Sequence, residues 1–276
     1  MELPSDPAVS DVRAPAPTEE LIVEQRGAIR WITFNRPHAR NALTWNMYER
    51  LERACHDVNA DRAVRAVVLT GAGGKAFVAG TDIAQFRAFK TEQDALDYEA
   101  RGDLVMNTLE SVLVPTIAAI TGACTGAGAA IAACCDLRIG SASARYGFPI
   151  ARTLGNCLSM ANYSRAAALI GIPRLKDVMM RARLMNAPEM LAAGLLSEVM
   201  PDEQSLLNRA QSLAEEVASL APLTLWATKE ALRRVRERMS VVGGDSDLIL
   251  ACYMSQDFKE GVDAFLSKRE PQWKGE

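Results

Sequence analysis

Residues 115–136, PTIAAITGACTGAGAAIAACCD, restrict the fold of this chain more than any other stretch of it. PTIAAITG reads as a buried strand opened by Pro115, and Gly126, Ala127 and Gly128 then stand at the mouth of a helix built almost wholly of small residues. Such a helix has no charged face to give to water and little side-chain bulk to hold a neighbour away. It packs only by bringing its backbone close to another element. RAVVLTG is a second run of this kind, with Val67, Val68 and Leu69 ending in a Gly-rich turn, as expected of a strand covered on both faces.

The remaining elements fit around these two. LIVEQ and AIRWITF, separated by Arg26 and Gly27, predict a hairpin. Met47, Leu51 and Ala54 repeat at helical spacing over residues 44–61, and residues 91–112 read as a charged helix. DLRIGS and ARYG supply two short strands, and from Ser159 onward the pattern is almost only helical. Strands fill the first half and helices the second, which predicts an α/β fold. Its expected parts are a mobile N-terminal arm over residues 1–20 with Pro4, Pro7, Pro15 and Pro17, a core over 21–200, and a helical region over 201–276.

Several classes of function are disfavoured. Thirty-one basic and 34 acidic side chains give a charge of −3, so nothing in bulk attracts nucleic acid or an anionic membrane surface. No apolar run approaches the roughly 20 residues that cross a bilayer, and the cytoplasm is the expected location. The six cysteines (Cys55, Cys124, Cys134, Cys135, Cys157, Cys252) show no CxxC spacing and are expected as reduced packing residues, with no metal site. With only His38 and His56, hydrolase triads have almost no material, and His56 is expected at the surface or its boundary.

Five separated stretches then occur in the order and spacing of the crotonase, or enoyl-CoA hydratase/isomerase, family, and the chain resembles that family over residues 21–273. NRPHARNAL resembles its first CoA-contacting turn, GAGGKAFVAGTDI its first oxyanion loop, and ITGACTGAGAAIAACCDLRI its second. AGLLSEVM and KEGVDAFLSKREPQW resemble its later signatures. The resemblance implies a crotonase-like fold with a stacked ββα-type core and a C-terminal helical region used in oligomerisation. It also implies an acyl-CoA thioester as substrate, with coenzyme A as part of that substrate and no tightly bound cofactor. The backbone amides of Thr81 and Ala127 become the implied oxyanion donors. His38, Ala39, Arg40, Lys75, Ala79, Asp82, Ile83, Phe265 and Lys268 become the implied CoA contacts. A homotrimer or hexamer is implied, with residues 258–273 covering a CoA pocket. The apolar runs at residues 166–170 and 191–196 point the same way, since helices apolar on more than one side seek a second partner. The basic run Lys229, Arg233, Arg234, Arg236 and Arg238 is expected as a solvated or intersubunit face.

The family pattern is broken where proton transfer would take place. The positions of the family's two glutamates carry Ala130 and Ile150, neither of which holds a proton, and no acidic residue adjoins them. Arg152, Asn156, Cys157 and Ser159 follow as candidate polar groups of the acyl pocket, and Tyr98, Asp103 and Glu110 lie on the segment that borders it by resemblance. Three readings stay open: an enolate-stabilising enzyme of the hydratase/isomerase type, a decarboxylase of malonyl-type CoA esters, and a CoA-thioester-binding protein without catalysis.

Overall fold

The chain alternates between two sheets, a larger one and a smaller one whose strands are two or three residues long. The computed structural model describes residues 19–239 and 244–276. Residues 1–18 of the expected arm lie outside these. Glu19 and Glu20 are already engaged: Glu19 pairs with Arg50, while Glu20 accepts from Thr44 Oγ1 at 2.8 Å and pairs with Arg36 at 3.1 Å. No helix of the described residues is long and apolar enough to cross a membrane.

The larger sheet holds β1 (Leu21–Arg26), β2 (Ile29–Phe34), β3 (Ala66–Gly71), β5 (Thr116–Ile120), β7 (Leu137–Ser141) and β10 (Glu198–Met200), in that spatial order. The β1–β2 hairpin is antiparallel and every later pairing is parallel. The smaller sheet holds β4 (Ala76–Val78), β6 (Ala123–Thr125), β8 (Arg145–Gly147) and β9 (Met185–Asn186). Strands β3, β5 and β7 of the first sheet are thus each followed by a short strand of the second, a stacked ββα arrangement with helix α3 (Ala127–Cys134) closing its middle unit.

Both faces of the larger sheet are covered, as its continuous apolar runs require. Ile32, Phe34, Val67, Leu69, Ala118 and Ile120 face the main core, with helices α1 (Trp45–Ala60), α2 (Glu92–Glu110) and α3. The alternate residues Ile29, Trp31, Ala66, Val68, Ile117 and Ala119 pack on Leu206, Ala210 and Ala214 of α8 (Glu203–Ala218). Trp31 lies fully inside this layer and donates its indole N–H to Gln211 at 2.8 Å.

Two expectations need correction. Strands β4, β6, β9 and β10 are absent from the sequence reading, and all four are two or three residues long, too short to display alternation. The apolar runs expected to seek a partner are mostly spent at home: Ala166, Ile170, Leu195 and Leu196 are buried in the chain's own core. Exposed apolar surface instead concentrates on α9 (Pro222–Met239), where Leu223 is 78 % and Leu232 65 % exposed. The basic run on this helix is tied down locally, with Lys229 on Asp136 at 2.7 Å, Arg233 and Arg234 on Glu230, and Arg236 on Glu110.

Helix α3 meets β4 backbone to backbone. A Cβ on Gly128 would collide with the Val78 carbonyl and lie 2.8 Å from the Val78 side chain, and neither can retreat from the core. Gly128→Ala is therefore expected to lower stability by about 3 kcal/mol, read as a fall in the urea midpoint at unchanged slope; an unaltered midpoint would show that this contact is slack.

Candidate active site

The cleft between the two Gly-rich loops opens into a cavity of about 850 Å³, within the roughly 300–1,000 Å³ usual for small-molecule sites. Its entrance is built from the turn at Pro37–Ala39 and its left-handed successors Arg40 (φ 51°) and Asn41 (φ 58°). Asn41 is fully buried and fixes this turn: it accepts from the Arg36 amide at 2.9 Å and donates to the Ala72 and Ala76 carbonyls at 3.0 and 2.8 Å. The sequence reading had no signal for this role, because a buried asparagine in a loop looks like any turn asparagine.

At the floor the two loops abut. Gly80 (φ 114°) and Gly126 (φ 55°) take conformations that favour glycine, and a Cβ on Gly126 would lie 3.5 Å from the Gly80 Cα. Thr81 follows the first glycine, and Ala127, the first residue of α3, follows the second. Both line the cavity. The opening amides of a helix have no intrahelical acceptor, so α3 brings unpaired N–H groups and a positive dipole end to this wall. Thr81 Oγ1 is held between two phenols, Tyr48 at 2.8 Å and Tyr98 at 3.0 Å. Burial pushes the Tyr48 hydroxyl up to about 12 and Tyr98 well above its ordinary value, so both remain neutral hydrogen-bonding groups.

Of the contacts expected from the sequence, His38, Ala39, Arg40, Ala79, Asp82 and Ile83 line the cavity on one side, and Phe265 and Lys268 line it on another. Phe265 comes from the end of α11 (Gln256–Leu266) of the same chain and Lys268 from the turn just beyond it, the helix being anchored where Gly261 lies against the Leu154 backbone. Asp82 also caps the turn it opens, accepting from Ala84 N at 3.2 Å, and pairs with Arg36 at 3.1 Å. Lys75 is not among the lining residues; its side chain is exposed and its carbonyl accepts from Ala123 N.

The acyl-side candidates divide in the same way. Ala130 and Ile150 sit in the cavity wall, 5 % and 8 % exposed, and make it apolar there. Asn156, Cys157 and Tyr98 also line it, while Arg152 is exposed and outside the lining. Ser159 caps α5 (Met160–Ile170) by accepting from Asn162 N and donates to Asp103 at 2.7 Å. Asp103 and Glu110 are both taken up by the buried Arg165, so these three polar residues hold helices together and stand outside the lining. Burial raises the Cys157 thiol well above its usual range and leaves it a protonated packing group.

One carboxylate of the cavity was missed altogether. Glu99 lies on α2, on the face shared with Tyr98, Gly102 and Met106, and is 9 % exposed. It accepts a hydrogen bond from the Tyr253 hydroxyl of α10 (Ser246–Tyr253), which in turn accepts from Asn156 Nδ2 at 3.1 Å. Desolvation pushes the Glu99 carboxyl up to about 7; the Tyr253 bond and the Ser159 backbone oppose the shift, and Asp103 and Asp245 add to it. Tyr98 was visible as a candidate and its neighbour was not, because YEARGD reads as a solvated charged stretch until α10 is folded over it.

The mixed sheet stacking, with a glycine-floored cavity at the N-terminus of α3, defines a crotonase-type α/β protein. The family profile described as Enoyl-CoA hydratase/isomerase matches residues 24–276, and the chain belongs to that family. The short-chain-enoyl-CoA hydratase of Clostridium acetobutylicum is 32 % identical over 252 residues, covering 91 % of this chain and 95 % of that protein. Among solved structures, an enoyl-CoA hydratase/carnithine racemase from Magnetospirillum magneticum matches with TM-score 0.76 and 29 % identity, covering 94 % and 97 % of the two chains. A methylmalonyl-CoA decarboxylase in complex with 2-nitronate-propionyl-CoA matches with TM-score 0.84 and 25 % identity, covering 94 % and 99 %.

A folded-state value near 7 against 4.5 for a free side chain means that the native protein binds more protons than the unfolded chain between these pH values. Stability from Glu99 is therefore present below about pH 4.5 and is lost as pH rises through about 7, a difference on the order of 3 kcal/mol. Glu99→Gln is expected to raise the melting temperature relative to the parent at pH 8 and to change it much less at pH 5. Equal effects at both pH values would show that Glu99 does not titrate this way.

Proposed function

We propose that this protein binds an acyl-CoA thioester and stabilises the enolate of its acyl group, with the amides of Thr81 and Ala127 holding the thioester oxygen. The observation that carries the reading is the meeting of two glycine loops at one cavity floor, each glycine followed by a residue that lines the cavity. Deprotonation beside a thioester carbonyl, or loss of carbon dioxide there, moves negative charge onto the oxygen, and each well-placed donor is worth about 3–4 kcal/mol. The positive end of α3 acts in the same sense. Arg40, His38 and Lys268 at the rim supply donors for the phosphates of CoA, while Ala79, Asp82, Ile83 and Phe265 are the surfaces offered to its nucleotide end. Coenzyme A then enters as part of the substrate, and the reading calls for no other cofactor.

Proline is admitted at the first position of a helix, so Ala127→Pro deletes one donor N–H while leaving α3 its start. Turnover of a CoA ester should fall about 10²- to 10³-fold with binding largely kept. Normal turnover in this variant would remove Ala127 from the reading.

The apolar wall at Ala130 and Ile150 favours a second reaction of the same site, decarboxylation of a malonyl-type CoA ester. Departure of carbon dioxide leaves its bonding electrons in the enolate without any base, and the likeness to a methylmalonyl-CoA decarboxylase supports this reading. Mass spectrometry after incubation with malonyl-, methylmalonyl- and crotonyl-CoA separates the reactions. Gain of one water by the enoyl ester with intact malonyl esters identifies hydration, loss of carbon dioxide identifies decarboxylation, and tight binding with no conversion anywhere identifies a non-catalytic CoA-binding protein.

A homotrimer or hexamer is the proposed assembly, supported by the exposed apolar side chains Leu223, Trp226, Leu232 and Val235 of α9. Light scattering at micromolar concentration should return a mass three or six times that of one chain, and a monomer mass would overturn the assembly.

A further inference from the structure

Ala130 and Ile150, at the positions where the family resemblance expects glutamates, leave the proposed enolate-forming site without a proton-transfer group there. The cavity nonetheless contains a carboxylate in an unusual setting. Glu99 is buried in the wall, and among the described residues it has no ion-pair partner and is held by hydrogen bonds alone. The bonds run in a line from Asn156 through Tyr253 to Glu99. Asn156 Oδ1 at the head of that line is buried and, among the described residues, has no hydrogen-bond partner, although the residue lines the cavity. An unsatisfied buried acceptor costs about 1–3 kcal/mol, and here a substrate hydroxyl or a water entering the cavity is the donor that would satisfy it. Thus an orphan acceptor, a neutral phenol and a carboxylate stand in series along one wall of the cavity whose floor carries Thr81 and Ala127.

We propose that Glu99 is the proton-transfer residue of this site, taking the place of the absent glutamates from a different helix, with Tyr253 and Asn156 as its positioning residues. The proposal rests on the reading of the site as one that forms acyl-CoA enolates. In the forward step the ionised Glu99 takes the proton from the carbon beside the thioester carbonyl. The C–H electrons become the enolate, its charge rests on the thioester oxygen at the Thr81 and Ala127 amides, and Glu99 is left as the neutral acid. In the reverse step the acid returns a proton to that carbon. After a decarboxylation only the second step is needed, and the acid form of Glu99 supplies its proton to the enolate that carbon dioxide leaves behind.

The surroundings suit a group that must exist in both forms near neutral pH. The groups facing Glu99 are Tyr48 from α1, Tyr98 and Asp103 from its own helix, Cys157 from the loop ahead of α5, Tyr163 from α5, and Tyr253 with the capping residue Asp245 from α10. Burial raises all the phenols and the thiol, which stay neutral, so the two carboxylates and desolvation oppose ionisation while Tyr253 supports it. A carboxyl poised at about 7 is near the optimum for an acid–base group working at that pH.

The test uses the full chain with butyryl-CoA in heavy water, calorimetry for binding, and mass spectrometry for deuterium entering beside the thioester. The parent should bind and exchange, with a rate that rises with pH through about 7 as the base form fills. Glu99→Gln should keep binding and lose exchange by about 10²- to 10⁴-fold. Tyr253→Phe removes a donor to the carboxylate, so its exchange profile should move to higher pH, a change that a purely structural role for Tyr253 does not produce. If Glu99→Gln fails to fold, the direction of the Tyr253→Phe profile carries the decision. Exchange at the parent rate in Glu99→Gln, an unmoved profile in Tyr253→Phe, or a parent that binds butyryl-CoA without exchanging it would each overturn the role of Glu99. A parent that binds no CoA ester overturns the proposed function itself, and calorimetry reads that failure separately.

Discussion

The backbone contact between α3 and β4 is the interaction on which the rest of the structure depends. Gly128 faces the Val78 carbonyl with no room for a Cβ, Gly122 meets the Lys75 backbone in the same way, and Cys124 Sγ donates to the Gly128 carbonyl at 3.4 Å. A helix built almost wholly of small residues can be seated this deeply because little side-chain volume holds its neighbours away. Once seated, its N-terminus arrives beside Gly80, and two loops separated by more than forty residues of sequence share one floor. The entrance turn is held to the same scaffold by Asn41, so a displacement of β4 would be felt at both ends of the cavity.

Desolvation gives that cavity its chemical character. On the side of α10 and α11 it is closed by an aromatic cluster in which Phe86 lies 5.0 Å from Tyr98 and 5.6 Å from Phe258, and Tyr253 lies 4.8 Å from Phe258. Removing water strengthens the pull of backbone dipoles on a developing oxyanion, and it also penalises any charge that the protein itself keeps there. Tyrosines and Cys157 respond by staying protonated, and Glu99 responds by moving toward neutrality. The same exclusion of water thus supports the floor and prepares the wall.

Arg165 shows how polar groups were divided between structure and site. It is 2 % exposed and joins Asn107 and Glu110 of α2 to Asn162 of its own helix, with Asp103 at 3.8 Å. A buried arginine without such partners would be strongly destabilising, and satisfying it takes up both acidic residues of α2 that the sequence had offered to the pocket. Glu99, one turn ahead of Asp103 on the same helix and beyond the partners that hold Arg165, is left for the cavity.

Periodicity and turn chemistry made most of the fold legible. The strand at Ala66–Gly71, the small helix at Ala127–Cys134 and the glycines before Thr81 and Ala127 all announce themselves locally, because each is decided by side-chain volume and backbone freedom within a few residues. Strands of two or three residues, such as Met185–Asn186, carry too little pattern to be read and exist only because a neighbour offers its hydrogen bonds. The polar wall belongs to the same category. Residues 99, 156 and 253 come from two helices and a loop far apart in the sequence, and nothing local distinguishes Glu99 from the exposed Glu92 or Asp97. The sequence by itself determined where backbones can approach and where a small-residue helix begins at the cavity, since those properties travel with glycine and alanine. Only the tertiary structure decided which carboxylate loses its water, because burial is conferred by the elements that fold over a residue.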